Sequence, residues 1–169
     1  MFKKFIDGKK LGGANCLIWK DGEVIYQESQ GYRNLETREL MTQDTIFRIA
    51  SMTKPITSVL AMELYEEKKL NLSDPITKWF PQFKNMKVLK NQPGEYEDAN
   101  RLITVLDLLT HRAGFTYSDF QSAKLRDDYV RSLGGDIDSE LTIEQWISGL
   151  TGLPLISQPG AIFNYGKST

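Results

Sequence analysis

Phe47-Arg48-Ile49-Ala50-Ser51-Met52-Thr53-Lys54-Pro55 leads directly into a run where Ile56, Val59, Leu60, Met62 and Leu64 recur at roughly helical spacing. The Glu66-Glu67-Lys68-Lys69 cluster closes the exposed end, so a helix is expected over residues 51–69. Pro55 fits only in a first turn, where its missing N–H is no loss, and this puts the helix start at or just before Ser51. On such a helix positions i and i+3 share a face, so the Lys54 amine reaches the Ser51 hydroxyl. A serine in a first turn also lies among free backbone N–H groups that can hold an oxyanion. The lysine must be deprotonated to act as base, or must bias a neighbouring phenol towards the phenolate. Burial and nearby positive charge would lower its pKa to that end. The same pattern also suits a helix-capping serine followed by a surface lysine.

Working outward, residues 14–30 read as a β-hairpin in which the apolar runs Asn15–Trp19 and Val24–Tyr26 flank Asp21-Gly22. Asp-Gly supplies the positive φ angles of a tight turn. After the helix, Asn71–Pro75 reads as a turn, Pro75–Phe80 as a short helix or turn, and 82–101 as an exposed loop. Thr104 caps a short helix over Val105–His111 with Gly114 beyond it, and Thr142 caps another over Ile143–Leu150. Residues 115–140 read as polar and irregular, with a helix around Ala123–Ser132; Leu153–Thr169 reads as extended and turn-rich. One hairpin is too little sheet to stand alone, since three or more strands are normally needed.

The chain of 169 residues suffices for one domain; 40% hydrophobic and 25% charged residues are ordinary for a soluble protein. A formal net charge of −1 leaves no basic face for a phosphate backbone, so nucleic acid is not an expected partner. No apolar stretch approaches a membrane span, and no membrane partner is expected. Met1 to Lys10 lacks an apolar h-region, so the default compartment is the cytoplasm, or the periplasm or exterior if a leader has been removed. The single cysteine, Cys16, reads as a buried, inert thiol. One Cys and one His make no metal cluster, and no Gly-rich phosphate loop is present, so no metal and no cofactor is expected.

Residues 47–55 resemble, nearly letter for letter, the active-site segment of the serine β-lactamase-like family. That family comprises class C β-lactamases, D-alanyl-D-alanine peptidases, family VIII carboxylesterases and related acyltransferases. Lys20–Val24 resembles its first hairpin, Gly31–Thr37 the approach to the active-site helix, and Leu70–Pro75 the turn after it. Ile103–Gly114, with Leu108-Leu109-Thr110-His111, resembles the next short helix, and Pro159–Tyr165 resembles the lead-in to the second catalytic motif. The likeness covers about residues 12–115 and 153–169 and leaves 116–152 as a variable insert.

The resemblance implies an α+β, β-lactamase/transpeptidase-like fold, a helical region beside an antiparallel sheet. This chain would hold the first hairpin and most of the helical region, as a single incomplete domain over 1–169. It implies Ser51 as nucleophile, Lys54 as its partner, and Tyr165 as the residue that shuttles the proton. The third family motif, Lys-Thr-Gly or His-x-Gly, belongs on a strand far downstream. A C-terminal part would therefore be needed to complete the fold, and inactivity of this chain alone is one expected outcome; a large apolar face would be exposed where the sheet belongs. Lys167-Ser168-Thr169 and Ser118-Asp119-Phe120 only mimic family motifs. His111 is expected to be structural, on a helix packed behind the site, so a Ser-His-Asp mechanism is disfavoured.

The chain departs from the family at Tyr165-Gly166-Lys167, where Tyr-x-Asn is usual. Lysine cannot offer both a donor and an acceptor to a substrate amide. This weakens β-lactam or peptide turnover and favours small esters or lactones; Lys167 is left to bind a substrate carboxylate or to face solvent. The expected function is that of an esterase-like serine hydrolase forming an acyl-enzyme on Ser51. A β-lactamase or D-alanyl-D-alanine peptidase, and a non-catalytic binding protein on the same fold, are the alternatives.

Overall fold

The computed structural model describes residues 2–90, 94–118, 123–135 and 139–168, with the side chains of Ala123 and Lys124 left out. The chain forms two compact units, Met1–Ala50 and Ser51–Thr169.

In the first unit a short helix α1 (Lys3–Asp7) precedes an antiparallel sheet of order β1-β2-β3. β1 (Gly13–Lys20) and β2 (Glu23–Asn34) pair from Gly13↔Gly31 to Lys20↔Glu23, with a register shift between Ile18 and Trp19. Asp21 and Gly22 form the turn, with φ of 52° and 88°, the pair of left-handed angles that a two-residue hairpin loop needs. The expected hairpin is thus present, longer than anticipated, and joined by the two-residue strand β3 (Glu39–Leu40). Cys16 is free and half-buried rather than buried. Trp19, Val24 and Ile25 are more than half exposed.

The second unit opens within a 3₁₀ turn (Ala50–Met52) that leads into α2 (Thr53–Glu66), which starts two residues after the serine that was expected to start it. Pro55 falls in its first turn, as its chemistry requires. Ile56, Val59 and Leu60 on α2 are more than half exposed, whereas the buried core gathers later in the chain.

The described residues of 82–101 do not form an exposed loop. A 3₁₀ turn (Pro81–Asn85) is followed by a hairpin of β4 (Lys87–Leu89) and β5 (Tyr96–Asp98), and Phe83, Met86 and Val88 are buried. The backbone of Leu155 bridges to β4, donating to the Lys87 carbonyl at 2.8 Å and accepting from the Leu89 N–H at 2.8 Å. Ile156 then donates to the Gly114 carbonyl at 2.9 Å. A single extended segment near 155 therefore ties the β4–β5 hairpin to the stretch leading to residue 117.

The supposed insert supplies much of the core. α4 (Ala123–Leu133) buries Leu125, Tyr129 and Leu133 at i, i+4 and i+8, and packs against α5 (Ile143–Thr151), which buries Ile147 and Leu150. Phe115, Thr116 and Ser118 are buried too, so the expected polar irregularity of 115–140 does not hold for these residues. Both threonine caps form as expected, each with a complete capping box: Thr104 on α3 (Val105–Leu109) and Thr142 on α5.

Asp107, 5% exposed, is a buried carboxylate of this core. It takes both Arg101 guanidinium nitrogens, at 2.6 and 2.8 Å, and the Thr104 N–H and hydroxyl, at 2.9 and 2.8 Å. Gly160, at φ 82°, lies against this pair, and a Cβ there would fall on the Arg101 guanidinium. Burial pushes the Asp107 carboxyl up, but Arg101 and Thr104 outweigh burial and hold it below the usual carboxylate range. Its stability contribution is therefore present above its unfolded pKa of about 3.9 and is lost as pH falls through the lower folded value. Asp107→Asn should cost about 2–3 kcal/mol in urea unfolding at pH 7, a deficit that shrinks below pH 4. An unchanged urea midpoint at pH 7 would deny the pair that role.

Candidate active site

Ala50, just ahead of the serine, has φ 45°, a left-handed conformation that costs a non-glycine residue about 1–2 kcal/mol. Such stored strain points towards function. It is followed by Ser51 in the 3₁₀ turn and Lys54 in the first turn of α2. The i, i+3 relation holds, with Lys54 Nζ 3.5 Å from Ser51 Oγ. The same ammonium donates to the Tyr117 hydroxyl at 3.2 Å and lies 5.0 Å from the centre of the Tyr165 ring. The Tyr165 phenol, 36% exposed, hydrogen-bonds both Ser51 and Lys54. The structure thus brings together three of the four residues singled out in the sequence.

The electrostatics of this group reverse one expectation. Burial pulls the Lys54 pKa down, but hydrogen bonds with Tyr117 and Tyr165 and their charges outweigh it, so the net shift is upward. Lys54 is held as an ammonium rather than prepared as a free base. Tyr165 shifts the other way. The Ser51 hydrogen bond pulls its pKa below the ordinary tyrosine value, burial opposes this, and the Lys54 hydrogen bond and charge add to the lowering. Of the two routes open to the lysine, the second is therefore favoured: a cation that makes a neighbouring phenol more acidic.

Two further groups join the site, and neither role was read from the sequence. Tyr117 reaches Lys54 from the segment after α3, its ring 5.8 Å from Tyr165. His111, expected to be structural, has its imidazole facing the Tyr165 ring at 4.8 Å. The segment carrying Tyr165 is laced to the 111–116 stretch. Asn164 N–H donates to the His111 carbonyl at 2.8 Å, and the Asn164 amide donates to the Phe115 carbonyl at 2.8 Å. Gly166 is pressed against that stretch, where a Cβ would stand 2.6 Å from the Phe115 oxygen.

Lys167 does not face solvent. Its amine donates to the Gly135 carbonyl at 3.0 Å and lies 5.3 Å from the Tyr117 ring centre. It also edges an apolar cavity of about 330 Å³ walled by Trp79, Phe83, Phe115 and Trp146. In the first mimic motif Ser118 is buried, while Asp119 and Phe120 lie outside the described residues, as does Thr169 of the second. No described helix is long and apolar enough to cross a membrane.

Comparison with known proteins places the fold. The Beta-lactamase family model matches residues 1–169. Protein Rv1367c of Mycobacterium tuberculosis is 36% identical over 98% of this chain and 41% of its own length. Esterase EstB of Burkholderia gladioli is 28% identical over 98% of the chain and 40% of its own. Among solved structures, EstCE1, a hydrolase with promiscuous acyltransferase activity, superposes with a TM-score of 0.81 at 32% identity, over 98% of this chain and 42% of that one. The fold is thus β-lactamase/transpeptidase-like, as expected, and the chain spans about two fifths of the length of these relatives.

Proposed function

Because the chain belongs to the Beta-lactamase family, we propose that it carries the nucleophile and proton-transfer groups of a serine hydrolase acting on small esters or lactones. The observation that carries this reading is the connected set Ser51–Lys54–Tyr165, with the phenol made more acidic and the amine held charged. Ser51 Oγ attacks the ester carbonyl carbon while the Tyr165 phenolate takes the hydroxyl proton. The tetrahedral intermediate collapses, its C–O bond to the alcohol breaks, and Tyr165 returns the proton to the leaving alkoxide. Water then attacks the acyl-serine with Tyr165 again taking the proton and passing it to Ser51 Oγ, which frees the acid. Lys54 keeps its charge throughout and stabilises the phenolate by electrostatics rather than by proton transfer.

Lys167 supports esters over amides. At the position where the family usually has asparagine, its amine is held by the Gly135 carbonyl and offers no acceptor for a substrate N–H. EstB is an esterase by name, which agrees with this preference. The test is intact-mass spectrometry after brief exposure to an activated short-chain ester, followed by peptide mapping. It would be run on this chain and on a longer protein that contains it. A gain of one acyl group on the peptide bearing Ser51 is the expected result. No gain in either protein would overturn the hydrolase reading and leave a binding protein on this fold.

A further inference from the structure

The geometry points to His111 as a positioning residue for Tyr165: its neutral imidazole stacks on the phenol ring and accepts the next N–H, fixing the phenol towards Ser51. The inference rests on the proposed role of Tyr165 and names the group that would keep it in place.

Four contacts meet at this residue. The imidazole lies 4.8 Å from the Tyr165 ring, tilted by 41°, and makes an edge contact with Phe163 at 5.9 Å. Its Nδ1 accepts a long hydrogen bond from the Gly166 N–H at 3.5 Å, and its backbone carbonyl accepts the Asn164 N–H at 2.8 Å. His111 thus grips residues on both sides of Tyr165. It can do so because the chain turns sharply at the end of α3, where His111 itself has φ 53°.

The grip depends on the charge of the ring. Only an unprotonated Nδ1 can accept the Gly166 N–H; an imidazolium would oppose one N–H with another. It would also place a second cation close to the Lys54 ammonium. Among the described residues, the charged or titratable groups on the elements packed against it are Lys54 on α2, Tyr117 on the segment after α3, and Tyr165 and Lys167 on the last segment. Within its own stretch, Asp107 is held by Arg101, and Arg112 reaches the Ala161 carbonyl at 3.4 Å. No carboxylate among these is directed at the imidazole to favour its charged form. In agreement, burial first and the Lys54 charge second push the His111 pKa below the ordinary histidine value. The neutral, gripping form therefore prevails at neutral pH, and the grip is released only below the ordinary histidine range.

His111 is the only histidine, so its ring protons can be followed by NMR without ambiguity. In the unmodified chain, the Gly166 amide and the Tyr165 ring signals should shift with the same acid midpoint as His111. If neither moves while His111 titrates, the inference is overturned. A second arm uses His111→Asn, because asparagine accepts a positive φ while removing the ring. With circular dichroism confirming the fold, the Tyr165 phenol, labelled at Cζ, should titrate higher in this variant, back towards ordinary tyrosine. An unchanged Tyr165 midpoint in a folded variant would reduce His111 to a structural residue. An ordinary Tyr165 midpoint already in the unmodified chain would instead remove the proposed role of Tyr165, and this inference with it.

Discussion

Ser51→Ala is expected to abolish acyl transfer, lowering the rate by at least about a thousandfold and erasing the mass gain. The fold should survive, because Ser51 is exposed and its hydroxyl bonds only to the Lys54 and Tyr165 side chains among the described contacts. An exposed substitution of this kind changes stability by about 0.5 kcal/mol or less. The same variant carries a second, independent readout. The Ser51 hydrogen bond is the largest cause of the lowered Tyr165 pKa. Deleting the hydroxyl should therefore raise the Tyr165 midpoint in a spectroscopic titration, even in a protein that performs no chemistry. Acylation that persists at another residue of Ser51→Ala would remove the serine from its proposed role, whatever the titration shows.

The local part of this site was legible because it is a matter of spacing. Ser51 and Lys54 lie three apart at a helix start, and Pro55 fixes where that start must be. The Asp21-Gly22 turn and the Thr104 and Thr142 caps were legible for the same reason, since each rests on side chains within four residues. The parts that were missed depend on chain segments far apart in sequence. β4 and β5 are three residues each, too short for an alternation to register, and Val88 is buried because the segment at Leu155 comes alongside. Tyr117 meets Lys54 across 63 positions, and His111 meets Tyr165 across 54. The sign of the lysine shift was misjudged for a related reason. Burial alone does lower it, but two phenols that no local pattern brings near the amine reverse the outcome.

Tyr165→Phe should slow acylation by about 10²–10⁴-fold, the usual contribution of a positioned proton carrier. Phenylalanine keeps the ring that packs between His111 and Tyr117, so loss of the hydroxyl alone is tested. The pH profile separates chemistry from packing. If Tyr165 accepts the serine proton, acylation should rise with pH and level off above the phenol's pKa, which lies below the ordinary tyrosine value. Tyr165→Phe should lose that rise. Lys54→Met should instead keep the rise and move it to higher pH, because the ammonium's hydrogen bond and charge no longer favour the phenolate. Tyr117→Phe provides the contrast. Its hydroxyl bonds Lys54 at 3.2 Å, so its loss should act on the lysine and leave the rise in place. A rise that survives in Tyr165→Phe and vanishes in Tyr117→Phe would move the proton-carrying role to Tyr117. The lysine would then serve a different phenol from the one that the sequence pattern indicates.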